Sequence, residues 1–184
     1  MSEKSGKSPS FQQIVPPGDT VARAVCADCG FIHYQNPRVV VGSVATWQAK
    51  ILLCRRAIEP RRGYWTLPAG YLELGESPES GARREAREEA CTELLIDQLL
   101  AVYSIERLSQ VQLIYRARLA EESYGVGEES LEVALFDWAD IPWPDLAFPS
   151  VHWALGHHRD SLSLAAFAPF RNPASRVGDM AELP

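Results

Sequence analysis

The chain has no run of eighteen apolar residues, and its first ten residues lack the apolar stretch of a secretion signal. We therefore expect no transmembrane helix and a cytoplasmic location. Basic residues are also too few for a general binder of nucleic acid or anionic membranes, since 18 Lys and Arg against 24 Asp and Glu leave a net charge of −6. A phosphorylated small molecule remains a suitable partner if divalent cations neutralise its site.

Cysteine is scarce as well, with Cys26, Cys29, Cys54 and Cys91 only. Without a secretion signal, reduced thiols are expected rather than disulfides. Cys26 and Cys29 form a CxxC pair, but two thiolates do not close a tetrahedral zinc shell. His33 would supply only a third ligand, so the pair is not interpreted as a complete zinc site.

Hydrophobic patterning predicts an α/β fold around a mixed sheet. A hairpin is expected from 39–47 and 51–54, and further strands are expected at 65–67, 99–106, 110–119 and 131–138. Helices are predicted at 78–91 and from Pro149 to about His158. The first helix is the better defined, because Ser77 is a suitable N-cap and Pro78 suits the first turn. The helix dipole also stabilises the negative charge of Glu79 in that turn.

Three glutamates of this first helix share one face. Glu85, Glu88 and Glu89 fall within a wedge of about 100° at helical spacing. Carboxylates so placed repel one another, whereas a hard divalent cation such as Mg²⁺ needs several oxygen ligands. The spacing therefore indicates a metal site, with substrate phosphate and water completing the coordination.

Neighbouring residues fit the same purpose. Arg84 can hold Glu88 through its planar guanidinium group, and Glu76 lies just before the N-cap. Gly70 lies in a Pro-Ala-Gly turn, where the missing side chain lets a backbone carbonyl approach an ion. A stripe of alanines allows close packing on a sheet; its members are Ala82, Ala86 and Ala90.

The short pattern E-x-x-E-E also occurs on solvated helices with Arg–Glu pairs. A longer pattern is therefore needed to distinguish a metal site from such a helix. The pattern G-x5-E-x7-R-E-U-x-E-E is met by Gly70, Glu76, Arg84, Glu85, Ala86, Glu88 and Glu89. It resembles the signature of the Nudix hydrolases. The phrases CADCGFIHYQNPRVVVG, LLCRR, YWTLPAGYLELGES and IPWPDLAF resemble the ADP-ribose and FAD diphosphatase branch of that family.

The resemblance implies an α/β/α sandwich and Mg²⁺- or Mn²⁺-dependent cleavage of a nucleoside diphosphate derivative, with ADP-ribose or FAD releasing AMP. It implies metal binding by Glu85, Glu88, Glu89 and the Gly70 carbonyl, with Arg84 and Glu76 as orienting residues. An acid outside this signature, called the Nudix box below, is also expected in GEESLEV; among Glu128, Glu129 and Glu132, the last two are favoured. Expected substrate contacts are Arg55, Arg56 and Tyr71.

Two departures from the family pattern stand out. Cys91 replaces the glycine that ends the helix, which would cost about 1 kcal/mol at positive φ. The resembled proteins also carry two CxxC knuckles, whereas this chain has one, so a zinc-ribbon remnant is expected. The predicted organisation is a poorly ordered 1–14, a degenerate ribbon at 15–36, the hydrolase domain at 37–160 and a tail at 161–184. A homodimer is compatible with the family.

Several alternatives remain open. A non-catalytic nucleotide-sensing module on the same fold would tend to lose box acids, which this chain keeps. Nucleic-acid binding is disfavoured by the negative charge and the halved ribbon. Among enzymes, oxidised nucleotides and RNA caps stay possible substrates, whereas NADH is disfavoured because YSIERLSQVQL lacks the expected Pro- and Trp-rich array.

Overall fold

The computed structural model describes residues 10–183, which separate into two compact units, one up to Asn36 and one from Pro37. The first unit is an antiparallel sheet of three short strands, β1 (Phe11–Ile14), β2 (Arg23–Cys26) and β3 (Ile32–His33), with β2 in the middle. The turn before β2 is ordered by Asp19, whose carboxylate accepts hydrogen bonds from the amides of Thr20 and Val21.

The start of the chain differs from the expectation of disorder over 1–14. Residues 1–9 of that range lie outside the described part, whereas Phe11–Ile14 form β1. All four β1 residues are exposed, so burial gave no signal for this strand. Its order comes from backbone pairing with β2, in which Phe11 lies opposite Cys26 and Ile14 opposite Arg23.

The second unit is built on a mixed seven-stranded sheet. The strands are β4 (Arg38–Trp47), β5 (Lys50–Arg56), β6 (Trp65–Thr66), β7 (Ala69–Tyr71), β8 (Leu94–Ile105), β9 (Gln110–Leu119) and β10 (Ser130–Phe136). The main path runs β10-β5-β4-β9-β8, with β6 beside β5 and β7 beside β4. Strands β4 and β9 are parallel, and the other pairs are antiparallel.

Two helices cover opposite faces of this sheet. The helix α1 (Pro78–Ala90) packs Ala86 and Ala90 against the layer that contains Ala45 and Leu52. Ala82, the third member of the alanine stripe, packs against Val41 and Tyr115. The helix α2 (Pro149–Ser161) packs Trp153 and Leu155 into the core that contains Val44. The predicted α/β/α sandwich with a mixed sheet is thereby confirmed. None of the helices within residues 10–183 is long and apolar enough to cross a membrane.

Differences in detail have physical causes. Strand β8 begins at Leu94 rather than at 99, because bulges after Ile96 and Leu99 break the two-residue alternation. The three-residue strand β7 had no periodic signal and was missed. The C-terminal segment contains no long element, yet Phe170 pairs with Ala101 at the outer edge of β8.

Candidate active site

The helix α1 begins where the sequence predicts. The hydroxyl of Ser77 accepts a hydrogen bond from the amide of Ser80 at 3.2 Å, and Pro78 occupies the first turn. Glu79 lies in that turn, where its negative charge stabilises the helix N-terminus through the helix dipole. This cap fixes the rotation of α1 and therefore the direction in which its glutamates point.

The three glutamates of the box differ in environment. Glu89 is 5% exposed and Glu85 is 8% exposed, whereas the side chain of Glu88 is 56% exposed. All three line one large cleft. Two buried carboxylates and one exposed carboxylate therefore face a common space, which is unusual for a helix that is merely solvated.

Arg84 connects these acids. Its guanidinium group forms two hydrogen bonds with Glu76, at 2.8 and 3.2 Å, and also donates to Glu85 at 2.6 Å and to Glu88 at 2.8 Å. A further bond reaches the carbonyl of Tyr71 at 2.9 Å. Glu76 in turn accepts the amide of Glu73, and these contacts lower the pKa of Glu76, chiefly through Arg84. The predicted link from Arg84 to Glu88 is present, within a wider network.

Glu89 is the most perturbed acid of the site. Burial raises its pKa to about 8, while the amide of Ala69, which donates to its carboxylate at 3.1 Å, acts in the opposite direction. The charges of Glu85 and Glu129 raise the pKa further. Burial likewise raises the pKa of Glu85, against the effect of Arg84. Carboxylates crowded in this way are stabilised by a cation.

Gly70 lies directly against this cluster. It pairs with Val41 across β7 and β4, and a Cβ atom built on it would collide with the carboxylate of Glu85. Glycine is therefore required for close approach, whatever role its carbonyl has. The sequence suggested an approach between the Gly70 backbone and the site, and the structure places the Glu85 carboxylate there.

The loop before β10 is bound to the end of α1. The amides of Gly125 and Gly127 donate to the carbonyls of Ala90 and Glu89 at 2.8 and 3.2 Å. The carbonyl of Glu129 accepts the amide of Ala57 at 2.8 Å, and Glu128 and Glu129 both line the cleft. Sequence reasoning missed the two glycines, whose spacing beside an acidic pair was the available signal.

The other predicted residues divide between the cleft and the outer surface. Glu132 is exposed and lies opposite Arg55, with their charged groups 3.5 Å apart; neither lines the cleft. Arg56 does line it, lies over the ring of Phe148 at 5.3 Å and donates to the carbonyl of Pro60. Tyr71 also lines the cleft, with Arg38 over its ring at 5.2 Å.

The cleft has a volume of about 1120 Å³. Its walls come from α1, from the ends of β4, β7 and β9, from the loops after β5 and before β10, and from the start of α2. This volume slightly exceeds the roughly 300–1,000 Å³ of common small-molecule sites. An elongated ligand with an anionic centre beside the acidic helix would fit such a space, given a cation.

A family model of the NUDIX domain matches residues 36–153. The chain belongs to the Nudix hydrolase family. A second model, for the Nudix N-terminal zinc ribbon, matches residues 8–35. The Nudix match contains every box residue described above and the loop that carries Glu129.

Relatives of this Nudix chain include a MutT-like protein of Streptomyces ambofaciens, 36% identical over 99 residues that cover 54% of the chain and 60% of that protein. An ADP-ribose pyrophosphatase of Methanocaldococcus jannaschii is 29% identical over 113 residues, covering 59% and 67% respectively. The crystal structure of a NUDIX hydrolase from Nitrosomonas europaea matches with a TM-score of 0.83 and 42% identity, over 92% of the chain and 96% of that structure.

The Nudix box fits the divalent cation that the family implies. Among residues 10–183 no three acidic, thiol or imidazole groups already converge as a complete ligand set. However, the charges of Glu85 and Glu129 raise the pKa of Glu89, and all three residues line the cleft. Hard oxygen donors of this kind suit Mg²⁺ or Mn²⁺, which fill their remaining positions with water and phosphate.

The ribbon match does not fit a zinc site in the same way. Cys26 is buried and Cys29 is exposed, and hydrogen bonds from the backbone of Cys29 and Asp28 lower the pKa of the Cys26 thiol. His33 packs edge-on against Phe11, with ring centroids 6.3 Å apart. The matched range contains no other cysteine, so the residues present supply two thiolates rather than four.

The end of α1 carries the predicted departure. Cys91 adopts the left-handed conformation, with φ 49° and ψ 38°, and its amide donates to the carbonyl of Arg87. The amide of Thr92 donates to the carbonyl of Ala86 at 3.4 Å, which completes a helix-ending turn that normally favours glycine. Cys91 therefore has the positive φ on which the expected energetic cost depended.

Proposed function

We propose that this protein hydrolyses the pyrophosphate bond of a nucleoside diphosphate derivative, with ADP-ribose or FAD preferred and AMP released. The observation that carries the proposal is the pair of buried carboxylates, Glu85 and Glu89, facing a cleft that also receives Glu129. Burial of negative charge is unfavourable unless a cation joins it. A substrate diphosphate would bring further negative charge to the same place.

Glu85 and Glu89 would hold the divalent cation, and Glu88 would bind it directly or through water. When bound, the cation neutralises the phosphoryl oxygens and makes water a stronger nucleophile. Arg84 and Glu76 position these acids, because one guanidinium group spans Glu76, Glu85 and Glu88. Gly70 leaves the space that the Glu85 carboxylate occupies, and its carbonyl remains a candidate ligand.

Glu129 is our candidate for the acid outside the box, as a metal ligand or as the base that accepts a proton from the attacking water. Its backbone is held by Ala57, and the loop before it is held by the carbonyl ends of α1. A general base must be fixed within reach of the water it activates. Glu132 is not proposed for this role, because it pairs with Arg55 outside the cleft.

Arg56 is our candidate for contacting the substrate phosphates. It lines the cleft, and its charge acts on Glu89 strongly enough to oppose the rise in that pKa. Packing over Phe148 restricts its guanidinium group, which reduces the entropy lost on binding. Tyr71, with its exposed ring, is a candidate for contacting the rest of the substrate.

The preference for ADP-ribose is supported by the relative named as an ADP-ribose pyrophosphatase and by the cleft volume of about 1120 Å³, which leaves space on either side of a diphosphate. A non-catalytic sensor on the same fold is disfavoured, because the box acids are both present and oriented into the cleft. ADP-ribose, FAD, oxidised nucleotides, NADH and capped RNA form the substrate panel.

The deciding experiment measures product release from this panel with Mg²⁺ or Mn²⁺, comparing wild type with Glu89→Gln. We expect AMP from ADP-ribose or FAD with wild type and a loss of about a thousandfold in kcat with the variant. Glu93→Gln is the matched control, since Glu93 is exposed and pairs with Arg87. Release of AMP from neither compound would refute the substrate proposal, and equal activity of Glu89→Gln would refute the ligand role.

A further inference from the structure

The cleft continues beyond the acids to an end that the proposed chemistry does not use. This end, called the amide end below, is lined by Tyr71, Arg107, Gln110, Gln112 and Met180. Gln110 and Gln112 are two residues apart on β9 and therefore point to the same side of the sheet. The amide end thus combines neutral amides, one aromatic ring, one thioether and one guanidinium group.

Strand register makes these residues neighbours. The side-chain amide of Gln110 donates to the hydroxyl of Tyr71 at 3.2 Å. Val40 lies opposite Tyr71 on one side and opposite Gln112 on the other. Ile105 lies opposite Gln110 across β8 and β9. The amide end is therefore one continuous surface, adjoining the acidic cluster through Gly70 and Tyr71 of β7.

The C-terminal segment closes one side of the amide end and is held there by strand-like bonds. The amide of Phe170 donates to the carbonyl of Leu100 at 2.8 Å, and the carbonyl of Phe170 accepts the amide of Val102 at 2.9 Å. Two residues later, the side-chain amide of Asn172 bonds both the amide and the carbonyl of Ser104, each at 2.9 Å. Asn172 thus continues the edge pairing with its side chain.

The turn that follows is fixed at both its sides. The carbonyl of Gly178 accepts two bonds from Arg107, at 3.1 and 3.3 Å, and a Cβ atom built on Gly178 would collide with Ile105. One oxygen of Glu182 accepts the amides of Val177 and Gly178 at 2.8 and 3.2 Å. Met180 lies inside this closed turn, so its position in the cleft wall is determined by the fold.

We propose that the amide end binds the nucleobase of the substrate and that Met180 with its turn determines affinity for that half. This inference rests on the proposed function. Side-chain amides both donate and accept, as the edge of a base requires, while tyrosine and methionine offer apolar surface to its faces. The opposite end carries Arg56 and Glu59 together with Ile58 and Phe148. Arg56 is already the candidate for the phosphates, and none of the described residues at that end carries a side-chain amide to pair with the edge of a base.

The test compares Met180→Ala with wild type, using the two products of ADP-ribose hydrolysis as separate probes. AMP carries the base, whereas ribose 5-phosphate does not. We expect KM for ADP-ribose and the inhibition constant of AMP to rise about fivefold to tenfold, with kcat and the inhibition constant of ribose 5-phosphate unchanged. Val177→Ala is the matched control, because Val177 belongs to the same turn, is exposed and does not line the cleft.

Arg107 tests the positioning of the turn. Arg107→Ala should raise KM for ADP-ribose as Met180→Ala does, and Arg107→Lys should recover part of the loss by keeping a donor to Gly178. Equal weakening of ribose 5-phosphate and AMP, or no change for AMP, would overturn the proposal. If only the inhibition constant of ribose 5-phosphate changed, the amide end would bind the other half of the substrate, which would also overturn the proposal.

Direct binding of AMP by calorimetry separates this inference from the proposed function. If no substrate is cleaved but Met180→Ala still weakens AMP binding, the proposed function fails and the base site stands. If ADP-ribose is cleaved and Met180→Ala binds AMP as wild type does, the base site fails alone. Absence of AMP binding by the wild type would overturn the base site as well.

Discussion

The three-stranded unit and the acidic helix both correspond to metal-binding parts of their family, but they have kept different shares of their ligands. The strand unit has two thiolates where four are needed, whereas the helix retains every acid of its box. In the strand unit a metal would only stabilise the fold, and backbone hydrogen bonds, such as that from the amide of Ala27 to the carbonyl of Ser10, can supply part of that stability. On the helix a metal would do chemistry, which no hydrogen bond replaces.

Metal removal should separate the two regions most strongly. Chelation with EDTA should reduce hydrolysis to background, and Mg²⁺ or Mn²⁺ should restore it, because the buried carboxylates cannot act on phosphate without a cation. Activity and released zinc, followed with a colorimetric chelator, are measured on the same sample. Stoichiometric zinc release would show that the strand unit is a metal site after all.

Exchanging the arginine that connects the acids should have the next largest effect. Arg84→Lys keeps the charge but loses the planar group that reaches Glu76, Glu85 and Glu88. We expect a loss of about 10- to 100-fold in kcat/KM and a weaker apparent affinity for Mg²⁺, as for other residues that orient metal ligands. Arg87→Lys, on the exposed side of the same helix, is the control. Equal losses for the two would contradict a positioning role.

Stability should depend on pH through the second unit. Burial lowers the pKa of His158 from 6.5 to about 4, with a smaller contribution from Arg116, whereas His33 of the strand unit is exposed. The unfolded chain binds the proton more readily, so the stabilisation is fully present above pH 6.5 and is lost progressively as the pH falls from 6.5 to about 4. Because the raised pKa of Glu89 acts in the opposite direction over this range, the contribution of His158 is measured as a difference between proteins. We expect wild type to lose about 1–2 kcal/mol more than His158→Gln between pH 7 and pH 5 in urea unfolding. An unchanged pH slope in His158→Gln would argue against this assignment.

A smaller effect is expected where the helix ends. Cys91→Gly should raise the free energy of unfolding by about 1 kcal/mol, because the residue has φ 49° and glycine adopts that conformation without a Cβ penalty. Cys91→Ala keeps the Cβ atom and should give no such gain, which makes it the matched control. Chemical denaturation of the three proteins decides the matter, and equal stability of all three would remove the strain argument.

The smallest effect should come from the strand unit. Cys29→Ser should change the free energy of unfolding by less than about 0.5 kcal/mol, because the side chain is exposed and, on our interpretation, ligates nothing. In a zinc-held ribbon the loss of one ligand would instead unfold the unit. Proteolysis near residues 10–36 together with metal analysis distinguishes these cases, and rapid cleavage of the variant alone would contradict the metal-free interpretation.

The helix was predictable because its information is local. Capping by Ser77 and the steps between Glu85, Glu88 and Glu89 involve only near neighbours, and the helix ends within one residue of the expected position. The acid outside the box was harder, since Glu129 and Glu132 look equivalent in the sequence. A register shift in β10 between Ser130 and Glu132 separates them, turning Glu132 toward Arg55.

Long-range pairing accounts for what the sequence did not reveal. Strand β7 is three residues long and exists because Gly70 pairs with Val41. The C-terminal turn has no periodic pattern, and its place depends on bonds from Asn172 to Ser104 and from Arg107 to Gly178. Such contacts join residues some seventy positions apart, so no window of sequence contains them.

The two glycines of the loop before β10 differ in whether a larger side chain could replace them. A Cβ atom on Gly125 would rest 3.5 Å from Cys91, an ordinary contact, whereas one on Gly127 would overlap the carbonyl of Glu88. Drift at position 125 is therefore tolerable, while position 127 can change only if α1 changes with it. A substitution at position 127 would therefore push the loop away from α1 or shift α1 itself, and either movement would change the shape of the cleft.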